Sequence, residues 1–151
     1  MRIALGADHA GFPLKDQVRD LLTAAGHEVV DCGTDSIDPV DFPDITRATC
    51  APVLDGRADR ALLVCGTGQG AVMAANKIPG IRCGLANEVY SAHQAVEHDD
   101  ANALAIGAWL VPPAILPEIV TAYLEATFDR DADTLRRVDK LNALDDLQPG
   151  S

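Results

Sequence analysis

Cys65 closes an apolar run, Ala61–Cys65 (ALLVC), and Gly66, Thr67, Gly68, Gln69 and Gly70 follow it directly. Three glycines in five residues let backbone N–H groups point into one concavity at the start of a helix. That arrangement holds a phosphate, or an oxyanion that develops during a reaction. A tight turn with no ligand is the plain structural alternative. A dinucleotide fingerprint is the other rival, but the spacing is G-x-G-x-G rather than G-x-G-x-x-G, it follows the third strand-like run, and no Walker lysine comes after it. Cys65 stands where a strand meets a helix N-terminus, and there the helix dipole and nearby N–H groups are expected to favour a thiolate. Such a thiolate serves as base or nucleophile. Without the glycines beside it, the same cysteine would read as a small core residue.

Two further groups could take part. Asp8 and His9, in ADHAG, follow the first strand-like run, and a carboxylate beside a histidine can orient its ring. His98, Asp99, Asp100 and Asn102 lie in EHDDAN. The H-D-D run could suggest a metal, but adjacent residues point apart and no partner cluster accompanies it; no metal site is expected. His27 and His93 are expected to be solvated.

These residues need a scaffold. Arg2–Gly6, His27–Cys32, Ala61–Cys65, Ile81–Ala86 and Ala103–Ile106 read as strands. Between them, Leu14, Val18, Leu21 and Leu22 recur at helical spacing, ended by Gly26, and helices are expected near Asp44–Leu54, over AVMAANK and over Val89–Glu97. Leu116–Phe128 and Leu135–Leu147 read as amphipathic helices, the last joined through Asp129–Asp133. Residues 33–43 form a loop rich in Gly, Asp and Pro. Alternating β and α with apolar strands predicts an α/β fold: a three-layer, Rossmann-like, five-stranded parallel sheet in one domain over residues 1–151. Ligands in such sheets sit at the carboxyl ends of the strands, where Asp8, His9, Gly11, the glycine loop, Asn87 and Glu88 are expected, with His98, Asp99, Asp100 and Asn102 just before the fifth strand. The last helix carries Leu135, Val138, Leu141 and Leu144 on a drifting stripe that packs either on its own domain or on another subunit.

Composition narrows the classes. The chain has 151 residues, 48% of them hydrophobic, enough for one sizeable core. The net charge of −11 argues against nucleic acid and anionic membranes as partners. No apolar run approaches the roughly 20 residues of a membrane span, and the N-terminal apolar run, interrupted by Asp8 and His9, is too short for a secretory signal. The cytoplasm is therefore the expected location. Cys32, Cys50, Cys65 and Cys83 form no C-x-x-C pair, so free thiols are expected.

In order along the chain stand GADHAG, VDFPD, CGTGQG, AANKIPGIR, YSA, EHDDAN and RRVDKL. From Met1 to about Ala143 the sequence resembles the ribose-5-phosphate isomerase B family, which includes the galactose-6-phosphate isomerase subunits. The resemblance implies an aldose–ketose isomerase acting through a cis-enediolate, with ribose 5-phosphate as the default substrate and no metal or organic cofactor. It implies a homodimer, or a tetramer built from one, with sites at the subunit interface and the C-terminal helix reaching the partner. By that resemblance Cys65 is the base that moves a proton between C1 and C2; other branches carry a glutamate where Ala71 stands here. Thr67 and the N–H groups of the loop would stabilise the enediolate, and His98 would open the sugar ring from the neighbouring subunit. Asp8 and His9 would hold the sugar, with Gly66, Gly68, Gly70, Asp99, Asn102 and Arg137 completing the substrate contacts. The family usually has arginines at two positions that here are Trp109 and Asp133, and both commonly hold the substrate phosphate; His9 and Arg137 remain, with Arg130 and Arg136 nearby. The alternatives to ribose 5-phosphate are another sugar, phosphorylated or not, or a non-catalytic sugar- or nucleotide-binding module.

Overall fold

Side-chain size alternates along the inner strands and sorts the two faces of the sheet. In β1 (Arg2–Ala7) Ile3, Leu5 and Ala7 face one way and Ala4 the other; in β3 (Arg60–Cys65) Leu62 and Val64 oppose Ala61, Leu63 and Cys65; in β5 (Ala103–Gly107) Leu104 and Ile106 oppose Ala103 and Ala105. This is the period of two that a pleated strand imposes. The computed structural model, which describes residues 1–147, adds β2 (Glu28–Asp31) and β4 (Cys83–Leu85) and arranges five parallel strands in the order β2-β1-β3-β5-β4. The larger side chains meet α1 (Phe12–Ala24), α4 (Val89–Glu97) and α5 (Leu116–Glu125). The smaller ones meet α2 (Phe42–Leu54) and α3 (Gln69–Ala75), and they let α2 come close: a Cβ at Gly6 would stand 1.9 Å from Thr49 Oγ1. The result is the three-layer α/β architecture expected from the sequence.

Element ends differ from expectation where a side chain decides them. Helix α5 stops at Glu125 rather than Phe128, because the Arg60 guanidinium gathers the carbonyls of Tyr123, Leu124 and Ala126 and Ala126 turns extended. The last helix, α6 (Ala132–Asn142), starts earlier than expected. Asp131 caps it, accepting from the N–H of Asp133 at 2.7 Å and of Thr134 at 2.9 Å. It then tightens into a 3-10 turn over Ala143–Asp146 instead of running on to Leu147. Of the expected stripe Val138 is buried, whereas Leu141 and Leu144 are exposed. Among the described residues no helix is long and apolar enough to cross a membrane, and all four cysteines are free thiols, Cys32 partly exposed and the others buried.

Candidate active site

The sheet order places the switch point of the topology between β1 and β3. From β1 the chain steps outward to β2, then returns to add β3 on the other side of β1, and the connections diverge there to leave a crevice at the carboxyl ends. Asp8 follows β1 and Cys65 ends β3, in a register that pairs Ala7 with Val64. The Cys65 thiol donates to Asp8 Oδ2 at 3.0 Å. The other oxygen, Asp8 Oδ1, accepts from the N–H of Ala10 at 3.0 Å and of Gly11 at 2.9 Å. Gly11 must be glycine for this turn to seat, since a Cβ would lie 2.0 Å from the Val64 carbonyl oxygen. Burial pushes the Cys65 thiol up from its ordinary value; the hydrogen bond and charge of Asp8 push the same way, and N–H groups of Gly68 and Gly66 act against them. Desolvation and Asp8 therefore act, in the single chain, against the thiolate that the helix start is expected to favour.

The glycine loop is shaped from both sides. Gly68 caps α3 with φ at +82°, where a side chain would be strained. A Cβ on Gly66 would meet the Trp109 ring at 2.9 Å, and one on Gly70 would meet the Phe42 ring at 3.0 Å. The loop thus lies between two aromatic walls. Thr67 Oγ1 accepts from the Gln69 N–H at 3.3 Å, so its hydroxyl currently supports the turn. His9 is not oriented by Asp8, as its neighbour in sequence suggested. Its Nδ1 accepts from the Val40 N–H at 3.2 Å, which leaves the ring proton of the neutral form on Nε2. Sequence reasoning missed Val40 and Phe42 as parts of the site, although both lie in the VDFPD motif. Lys15 was missed as well. It is buried, donates to the Thr34 carbonyl at 2.7 Å and pairs with Asp31 at 3.0 Å, holding the base of the loop that carries Val40.

The remaining candidates lie elsewhere. His98, Asp99 and Asn102 precede β5, so they sit at the amino end of the sheet and not at the carboxyl end expected for them. Ala103 starts β5 opposite Ala61, while Gly107 ends it opposite Cys65; at about 3.3 Å per residue that separation is roughly 13 Å along the strand alone. His98 is exposed, with Glu97 3.6 Å from Nε2 and Gln94 Nε2 3.3 Å from Nδ1. The Asn102 amide is committed to the fold, accepting from the Arg82 N–H and donating to the Gly80 carbonyl, each at 2.8 Å. Asn87 is likewise structural, accepting from Gly107 at 2.8 Å, and Glu88 caps α4. Helix α6 is tied to the same amino end through Asp129 to Glu97 at 2.8 Å and Arg82 to Asn142 at 3.1 Å. Its Arg137 is 70% exposed and 3.9 Å from Asp133. A cavity of about 390 Å³ is also here, lined by Arg82, Asp99, Leu141 and Asn142 among others. One chain therefore brings together Asp8, His9, Cys65, Gly66, Thr67, Gly68 and Gly70, and separately His98, Asp99, Asn102 and Arg137.

The chain matches the ribose/galactose isomerase family from residue 3 to residue 141. It belongs to that family. Among its family relatives, the ribose-5-phosphate isomerase B of Escherichia coli (strain K12) is 38% identical over 144 residues, 95% of this chain and 96% of the relative. The D-erythrulose-4-phosphate isomerase of Pectobacterium atrosepticum is 36% identical over 131 residues, 85% of this chain and 86% of the relative. The structure of Clostridium thermocellum ribose-5-phosphate isomerase B superposes with a TM-score of 0.92 at 39% identity, covering 95% of this chain and 97% of that one. The family resemblance and the fold class read from the sequence both hold. Against the arginines expected of this isomerase family, Trp109 is 72% exposed with its ring over Gly66. Asp133 does more than remove a cation: it pairs with Arg136 at 2.5 Å and reaches Arg137 at 3.9 Å.

Proposed function

We propose that the chain interconverts an aldose and a ketose through a cis-enediolate, with Cys65 as the base. The observation that carries the reading is the position of Cys65. It is a buried sulfur at the switch-point crevice, next to a loop whose N–H groups act on it. The Cys65 thiolate takes the proton from sugar C2, the C–H electron pair forms the C1–C2 double bond, and the carbonyl oxygen becomes an oxyanion at the start of α3. The proton then returns to C1, while the hydrogen of the C2 hydroxyl passes to the oxygen on C1 and the C2–O bond becomes the new carbonyl. Electrons move only within the sugar, so the scheme balances without an external oxidant. Each donor aimed at such an oxyanion is worth on the order of 10²–10³ in rate, which is the role assigned to Thr67 and the loop N–H groups.

The functional unit in this proposal is a homodimer in the cytoplasm. His98 of the partner subunit opens the sugar ring, and Asp99, Asn102 and Arg137 belong to that half of the site. The separation of the two residue sets within one chain supports this, as do the uncovered Leu141 and Leu144 on the side of His98. The substrate class is a small sugar with an anionic end, ribose 5-phosphate first. Relatives named for isomerising five- and four-carbon sugar phosphates support it. Trp109 and Asp133 favour a second reading, a sugar whose end carries no phosphate: an apolar wall and an engaged arginine pair remove several charge-assisted hydrogen bonds.

The test is turnover in heavy water with ribose 5-phosphate, D-erythrulose 4-phosphate and their unphosphorylated counterparts. Solvent deuterium should enter the carbon that receives the proton. Cys65→Ala should fold normally and lose roughly 10²–10⁴ in kcat. Full activity in that variant would remove Cys65 as the base, and binding with no exchange on any sugar would make the protein a sensing module.

A further inference from the structure

The Cys65 sulfur has a specific acceptor whose own position is fixed. Asp8 Oδ2 stands 3.0 Å from Sγ, and both side chains are buried. Two backbone N–H groups, of Ala10 and Gly11, grip Oδ1, so the carboxylate cannot turn fully into the crevice without breaking them. The other surroundings of the sulfur are neutral. Helix α2 presents Phe42, Ile45 and Thr46, and α3 presents Ala71. His9, the next ionisable group along the chain, is turned to Val40. Among the described residues lining this corner, Asp8 is the one ionisable group facing Cys65. A carboxylate beside a thiol is an odd neighbour if its only task is to bind a sugar hydroxyl, because its charge and hydrogen bond oppose formation of the thiolate that the chemistry needs.

We propose that Asp8 is the positioning residue and internal proton acceptor of Cys65. This rests on the reading of Cys65 as the base. The S–H bond breaks, an O–H bond forms at Oδ2, and the negative charge passes to sulfur, where the N–H groups of Gly66 and Gly68 receive it. The thiolate then takes the sugar proton and becomes a thiol, delivers that proton to the neighbouring carbon and becomes a thiolate again. Asp8 returns the first proton to sulfur when the product leaves. The thiol–carboxylate pair and the thiolate–acid pair hold the same number of protons, so the base forms without releasing one to solvent.

That equality gives a measurable signature. In the wild type, kcat should be near its plateau well below the pH at which Cys65 becomes freely alkylated. Asp8→Asn keeps an oxygen for the Ala10 and Gly11 N–H groups but cannot take a proton. In that variant the alkylation midpoint, followed by mass spectrometry on the Cys65 peptide with iodoacetamide and no sugar present, should fall by about one pH unit or more, because a negative charge beside the sulfur is gone. Its kcat should climb about tenfold per pH unit up to that same midpoint. Asp8→Glu should restore the flat wild-type profile at a lower kcat. An unmoved alkylation midpoint overturns the proposal, as does a change confined to KM, which would leave Asp8 a sugar ligand only. If Asp8→Asn does not fold, the wild type decides alone: a kcat that follows its own alkylation midpoint is equally fatal. Should no sugar turn over, the functional reading fails while the alkylation midpoints still settle whether Asp8 governs Cys65.

Discussion

A ring-opening histidine matters only for a sugar that closes a ring. Ribose 5-phosphate closes through its O4 hydroxyl; in a four-carbon sugar 4-phosphate that oxygen is esterified and no five-membered ring can form. His98 stands exposed with no deeply buried partner, so its replacement by alanine leaves the fold alone. His98→Ala should therefore cut kcat/KM for ribose 5-phosphate by roughly 10²-fold or more, the scale of a lost general acid–base group, and leave D-erythrulose 4-phosphate within a few-fold of wild type. Equal losses on both substrates would show that His98 serves the proton transfer itself. At this scale the sequence was legible only where chemistry is local. CGTGQG announces its loop because glycine spacing is a contiguous signal. The thiol's acceptor lies 57 residues away and the histidine's partner 31 residues away, and such distances carry no pattern in a single chain. That is why the sequence shows the loop that favours a thiolate and not the Asp8 carboxylate that opposes it.

Elements were read well in their middles and less well at their ends, for a physical reason. Apolar periodicity fixes where a helix or strand exists, whereas caps fix where it stops. Arg60 ends α5 from across the sheet, which no local pattern reveals, and the short β4 lies at the edge with one strand neighbour only. The start of α6 could have been read, since Asp131 precedes it as a capping residue. Hydrogen bonds from Thr134 and Asp133 hold its carboxyl down at about 2. A folded-state value below the ordinary 3.8 means the cap's contribution is present above that ordinary value and is lost as pH falls through the folded one. Amide exchange at Thr134 and Leu135 should therefore speed up between about pH 4 and pH 2. Asp131→Ala should show that fast exchange already at neutral pH and lose the acid step. Identical protection in variant and wild type would mean that packing at Val138, not the cap, holds the first turns.

At the scale of the molecule, the two halves of the candidate site face opposite ends of one sheet, and a rigid sheet cannot fold them together. Sequence order already carries this, because His98 and Asn102 precede β5 and residues that precede a strand stand at its amino end. A second copy resolves the geometry if its amino end meets the first copy's carboxyl end, and two-fold symmetry then makes two such sites at once. Leu144, 56% exposed, and its neighbour Leu141 would be covered in that assembly, so Leu141→Asp with Leu144→Asp should yield a folded monomer by sedimentation, with turnover lost although both residues lie far from Cys65. The shared site itself is tested by mixing. Cys65→Ala chains lack the base and His98→Ala chains lack the ring opener, so neither alone should turn over ribose 5-phosphate appreciably. In a hybrid dimer one site carries both lesions and the other carries none. With equimolar chains fully exchanged, half the dimers are hybrids and half of their sites work, so the mixture should recover about a quarter of wild-type activity. Recovery must track the rate of subunit exchange, followed by mass spectrometry of differently labelled chains. Complete exchange with no recovery would place His98 outside the site that holds Cys65.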